Sequence, residues 1–131
     1  NKLSVVAVPG FFNLKMAWND GINFGLFSSE NSSRKVILIM ISALICLGIF
    51  FWAARQRSHF LFFCASAIIG GAVGNVLDRI LYGAVVDFLN FTCCGIQNPY
   101  SFNVADIAIF IGALGIIFFP GSSSKSKEFA P

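Results

Sequence analysis

Three apolar runs, Val36 to Ala53, Phe60 to Leu77 and Val104 to Phe119, constrain this chain more than any other feature. Each approaches the ~20 residues that a helix needs to cross a hydrocarbon layer roughly 30 Å thick. Composition agrees: 56% of the 131 residues are hydrophobic and 11% are charged, too few to coat a water-soluble domain that contains such runs. Arg34 and Lys35 precede the first run and Arg55 and Arg57 follow it, which fixes its ends. The short polar stretch 54–59 then makes the first two helices antiparallel neighbours. Small residues recur at helical spacing in the second run (Ala67, Gly71, Gly74) and in the third (Ala105, Ala108, Gly112, Gly115), giving faces that let membrane helices approach closely.

The length allows one domain, residues 1–131. Ahead of the first span, LSVVAV and FFNLKMAW flank Pro9 and Gly10, and Phe12, Leu14, Met16 and Trp18 alternate with Asn13, Lys15 and Ala17. This predicts a hairpin with one apolar face within residues 1–35. Asn19 to Ser29 reads as a turn followed by a short amphipathic stretch at the membrane surface, through Ile22, Phe24, Leu26 and Phe27. The Ser- and Lys-rich tail 121–131 reads as disordered. A net charge of +3 gives no basis for a nucleic-acid partner, and the Lys and Arg counts leave the orientation in the membrane open. Cys46 and Cys64 lie inside apolar runs and Cys93 adjoins Cys94, so the four cysteines read as structural rather than as a disulfide framework.

Acidic residues at the ends of membrane segments are costly. Asp78 closes the second span, Asp106 opens the third, and Asp87 lies between them, so antiparallel helices bring all three to one side of the membrane. Two close carboxylates that share a proton can hydrolyse a peptide bond without a metal, one as base toward water and the other as acid toward the carbonyl oxygen. Bland readings compete. Asp106 follows Asn103 by three residues at a helix start, the spacing of a capping box; Asp78 and Arg79 suit an interfacial ion pair; Asn75 suits helix packing. Asp87, in GAVVDFLNF, has no such ordinary role. Other protease chemistry is poorly supplied: no HExxH, no GxGD, and the single His59 lies in the opposite loop. No metal or cofactor is expected.

The blocks PGFFNLKMAWNDGINFG, GGAVGNVLDRILYGAVVDFLNF and FNVADIAIFIGALG, in that order and over nearly the whole chain, resemble bacterial lipoprotein signal peptidases. That resemblance implies a helical membrane protein with three transmembrane helices here, where the family has four, plus a small extracytoplasmic β cradle and an interfacial helix. It implies an aspartic endopeptidase of the bacterial inner membrane, its site facing outward and both family termini cytoplasmic. Such an enzyme removes the signal peptide of diacylglyceryl-modified prolipoproteins just before the lipidated Cys. The family's catalytic aspartates fall on Asp87 and Asp106, and its supporting residues on Asn19, Gly21, Asn75, Asp78, Arg79 and Asn103. Lipidated prolipoprotein and membrane lipid are the implied partners, and a monomer the expected state.

Two departures shape the expectations. The family's first membrane helix has no counterpart among these residues, so the 131 residues alone are expected to be inactive or barely active. Asn23 stands where the family more often has a small residue, which bears on the loop over the site. The alternative reading is a catalytically inactive membrane module that binds lipidated peptides, and a cleavage assay separates the two.

Overall fold

A computed structural model describes residues 4–21, 31–96 and 98–121. The elements run β1 (Ser4–Val8), β2 (Phe12–Asn19), α1 (Asn31–Ala53), α2 (His59–Tyr82), β3 (Val85–Phe91) and α3 (Val104–Phe118). Two of the expected spans prove longer than the apolar runs. The first helix begins at Asn31 rather than at 36, because a helix continues through polar residues wherever its backbone bonds can close. The second continues past Leu77 to Tyr82, so Asp78 and Arg79 belong to its last turns rather than to a loop. Ser58 caps its start, accepting the Leu61 N–H, and Gly83 ends it in the left-handed conformation at φ +83°, its N–H donating to Arg79 O. Both helices are long and apolar enough to cross a membrane. They expose large apolar side chains such as Leu44, Phe50, Phe63 and Leu81, which suits lipid and not water. The third helix is shorter, 15 residues, or about 22 Å at 1.5 Å per residue.

The small-residue faces pack as their spacing implies. A Cβ on Gly71 would strike the backbone carbonyl of Ala105, and one on Gly112 would strike that of Cys64. Only hydrogen fits at either position, and α2 and α3 therefore approach backbone to backbone. Cys64 and Ile68 are buried in this seam.

The protein is mostly helical with a small β element, as expected, but that element is larger than a lone hairpin. The hairpin β1–β2 forms, but β3 joins it as a third antiparallel strand, in the order β1-β2-β3. The segment that supplies it, VVDFLNF, had read only as a connection. The greasy face of β2 is not cleanly buried: Leu14 and Trp18 are exposed, and the register with β3 shifts between Leu14 and Ala17, so the alternation breaks in mid-strand. The cysteines also differ from expectation, since Cys93 and Cys94 are joined by a disulfide; Cys46 and Cys64 are free. The amphipathic stretch Ile22 to Ser29, with Asn23, and the tail beyond Gly121 lie outside the described residues.

Candidate active site

β3 leaves the end of α2 and carries Asp87 back across the top of the bundle, where the start of α3 delivers Asn103 and Asp106. Gly83 makes this return possible, because its left-handed φ turns the chain directly from helix into strand. Asp78, one turn before the helix end, accepts the Val86 N–H at 3.2 Å, which ties the strand carrying Asp87 to the helix below it.

Asp87 is 3% exposed and Asn103 is 5% exposed. Asp87 receives two side-chain amides: Asn19 Nδ2 donates to Oδ2 at 3.1 Å and Asn103 Nδ2 donates to Oδ1 at 2.9 Å. Asn103 is also the N-cap of α3. Its Oδ1 accepts the Asp106 N–H at 3.0 Å, and its own N–H donates to Asp106 Oδ2 at 3.1 Å. The capping box anticipated at this position therefore exists, and the same asparagine that closes it grips Asp87. The ordinary stabilising role and the link between the two acids coincide in one residue. Asn75, from α2, completes the connection: its Nδ2 donates to Asp106 Oδ1 at 3.1 Å and its Oδ1 accepts from Asn103 Nδ2 at 3.0 Å.

Gly21 and Arg79 support this network at its edges. The Gly21 N–H donates to Asn19 Oδ1 at 2.9 Å, holding that amide with its Nδ2 toward Asp87. A φ of +97° favours glycine there, and a Cβ would also meet the tip of the Leu38 side chain on α1. Arg79 donates to the Asn75 carbonyl at 3.3 Å. All eight residues singled out in the sequence thus fall in one connected region. Asp78 touches it through the Val86 backbone.

Burial pushes the Asp87 carboxyl above its ordinary range. The Asn19 hydrogen bond opposes that rise, the neighbouring Asp106 adds to it, and the Asn103 hydrogen bond and the Arg79 charge oppose it further. The arrangement offers two acids bridged by one asparagine, one of them held toward its neutral form. Among the described residues no group of three or more His, Cys, Asp or Glu could hold a metal ion.

A groove of about 540 Å³ lies between the sheet and the helices, bordered by Asn75 and Asn103, which bind the acids, and not by Asp87 or Asp106 themselves. Met16, Trp18, Tyr82, Val86 and Phe88 give it apolar walls, and Asn75, Asp78 and Asn103 reach its lining. Sequence reading passed over Asn90, which is 2% exposed and donates to the carbonyls of Asn98 and Tyr100; its one signal was a polar residue in an otherwise apolar strand.

Residues 1–120 match the family model described as signal peptidase (SPase) II. A lipoprotein signal peptidase of Rhodopseudomonas palustris (strain TIE-1) is 37% identical over 117 residues, which cover 87% of this chain and 71% of that protein. One from Desulforapulum autotrophicum is 41% identical over 118 residues, 88% of this chain and 72% of that protein. A bacterial membrane enzyme of known structure superposes with a TM-score of 0.75 at 28% identity, covering 99% of this chain and 78% of its own. A second gives 0.79 at 26% identity, covering 94% and 77%.

Proposed function

Because the chain belongs to the signal peptidase II family, we propose that it removes signal peptides from diacylglyceryl-modified prolipoproteins as an aspartic endopeptidase, with Asp87 and Asp106 as the catalytic pair. The observation that carries this reading is the double grip of Asn103, one amide on Asp87 and a backbone N–H on Asp106, which holds the two carboxyls as a unit.

The chemistry follows from their surroundings. Asp87, buried and pushed toward its protonated form, is the acid; Asp106, less buried, is the base. Asp106 takes a proton from a water molecule as its oxygen attacks the scissile carbonyl carbon, and Asp87 gives its proton to the carbonyl oxygen. The tetrahedral intermediate then collapses: the C–N bond breaks, the amine leaves with the proton held by Asp106, and a hydroxyl proton returns to Asp87 as the new carboxyl forms. Asn19, Asn75 and Asn103 hold the carboxyl oxygens in place through this cycle, and Asp78 and Arg79 hold the backbone that carries them.

In this reading all 131 residues form one membrane peptidase domain. α1, α2 and α3 all span the bilayer of a bacterial inner membrane, α3 aided by the apolar Phe119 beyond its last turn. The sheet and the acids face the extracytoplasmic side. The groove along Met16, Trp18 and Tyr82 takes the apolar signal segment, and the lipidated Cys is the point of cleavage. Chain and substrate meet within the lipid, and the enzyme works as a monomer without cofactor.

The test is to purify the protein with an added N-terminal membrane helix from a relative, since the 131 residues alone are expected to be barely active, to incubate it in nanodiscs with a diacylglyceryl-modified prolipoprotein and with its unmodified counterpart, and to identify the products by mass spectrometry. Cleavage of the modified protein alone, immediately before the lipidated Cys, is the expected result. Binding of the lipidated peptide without cleavage would instead identify an inactive binding module.

A further inference from the structure

Asp87 and Asn90 lie three residues apart on β3, yet both are buried, at 3% and 2% exposure. Strict alternation would put them on opposite faces of the sheet. The odd residue is absorbed between them. The N–H groups of Phe88 and Leu89 both donate to Phe102 O, at 3.0 and 2.8 Å, and Phe102 N–H returns a bond to Leu89 O at 2.9 Å. Two residues of β3 thus oppose one residue of the returning chain, which is a β-bulge. The bulge lies between Asp87 and Asn90, and Asn90 is buried against the segment that leads into α3.

There the Asn90 amide donates to Asn98 O at 2.9 Å and to Tyr100 O at 2.8 Å. The two carbonyls flank Pro99, which has no N–H to give a neighbouring strand. The Tyr100 N–H closes a local turn onto Asn98 Oδ1 at 3.0 Å. From Tyr100 to Asn103 the extended chain reaches at most ~10 Å, so the place of Tyr100 limits where Asn103 can lie, and the Phe102 bonds to Phe88 and Leu89 narrow it further. The link is Asn90 to Tyr100, Tyr100 to Phe102 and Asn103, and Asn103 to Asp87.

We infer that Asn90 is a positioning residue for the proposed aspartic pair: its two-carbonyl clamp sets the return of the chain onto the β3 bulge, and thereby where the Asn103 amide meets Asp87. The inference rests on the proposed function above. Asn90 itself touches neither acid in the hydrogen-bond network and lies outside the lining of the groove, so its effect belongs to the chemical step and not to substrate binding.

The experiment measures kcat and KM on a diacylglyceryl-modified prolipoprotein for the parent, Asn90→Asp, Asn103→Ser and the double variant. Asn90→Asp keeps the volume and removes both donors. Asn103→Ser keeps a capping oxygen and removes the amide to Asp87. Asn90→Asp is expected to lower kcat by roughly tenfold to a hundredfold, the scale of a displacement near 1 Å, with KM within about threefold of the parent. In the Asn103→Ser background the same change is expected to cost about threefold or less, because the route to Asp87 is already cut. Asn90→Ser, which keeps one donor, should fall between Asn90→Asp and the parent. Parental kcat in Asn90→Asp, a change confined to KM, or an equal loss in both backgrounds would overturn the inference while leaving the function standing. Failure of both Asn90 variants to fold would also overturn it, making the residue structural. Absence of cleavage by the parent would instead bring down the functional reading, and the inference with it.

Discussion

Asn103 places its side-chain amide 2.9 Å from Asp87 Oδ1, and these two residues, sixteen apart in sequence, are both buried. A helix cap thereby becomes a bridge between two acids. Because the capping box and the bridge share one residue, the start of α3 cannot shift without moving the environment of Asp87. Substitution of Asn103 should affect stability and turnover together.

Asp78 is expected to support rather than to catalyse. Its Oδ2 accepts the Val86 N–H, a role that a neutral amide oxygen can also fill, so Asp78→Asn should retain measurable turnover. Asp78→Ala loses the acceptor and should lose more, about tenfold further on the scale of one hydrogen bond. Steady-state rates of the two variants check the order. A dead Asp78→Asn beside an active Asp87→Asn would mean that the wrong acid has been chosen.

Asn19→Ala should move the pH profile in a definite direction. The Asn19 amide donates to Asp87 and holds its carboxyl down against the rise caused by burial. Without it the carboxyl titrates higher. Since the acid must be protonated to act, activity is lost as pH rises through that value, and the alkaline limb of kcat/KM should move to higher pH. A limb that stays in place or moves down would contradict the assignment of Asp87 as the acid.

The recurring small residues of α2 and α3 were legible in the sequence because they need no partner to be recognised, only spacing. The acids were legible because charge amid apolar residues is conspicuous. β3 was not legible. Its bulge at Phe88 and Leu89 and the register shift in β2 erase the alternation by which a strand is recognised. Asn90 was hidden as well, since its partners are the backbone carbonyls of Asn98 and Tyr100, which only the folded chain brings to it. The extra turn of α2 beyond Leu77 was missed because polar Asp78 and Arg79 look like a helix end, although the helix continues through both to Tyr82.

Gly71→Ala should destabilise the protein by about 1–3 kcal/mol, the scale of overpacking a tight seam, because the added Cβ meets the Ala105 carbonyl oxygen. Gly70→Ala is the control, with nothing within 4 Å of its Cβ. Thermal unfolding in a single detergent should show a lower midpoint for Gly71→Ala and no loss for Gly70→Ala. Equal midpoints would remove the close α2–α3 contact from the account.

Chelation offers a further check on the chemistry, since two acids that share a proton need no metal. Cleavage should persist in EDTA at the parental rate. Activity lost to the chelator and restored by zinc would point to a metal site instead.

The central claim is tested most directly by the turnover of Asp87→Asn and Asp106→Asn on one diacylglyceryl-modified prolipoprotein, each variant purified beside the parent and shown to keep its fold. A neutral amide preserves the shape of each side chain but can neither give up nor take the shared proton, so each rate should fall by at least about a thousandfold. Turnover within a few-fold of the parent in either variant would contradict the aspartic pair.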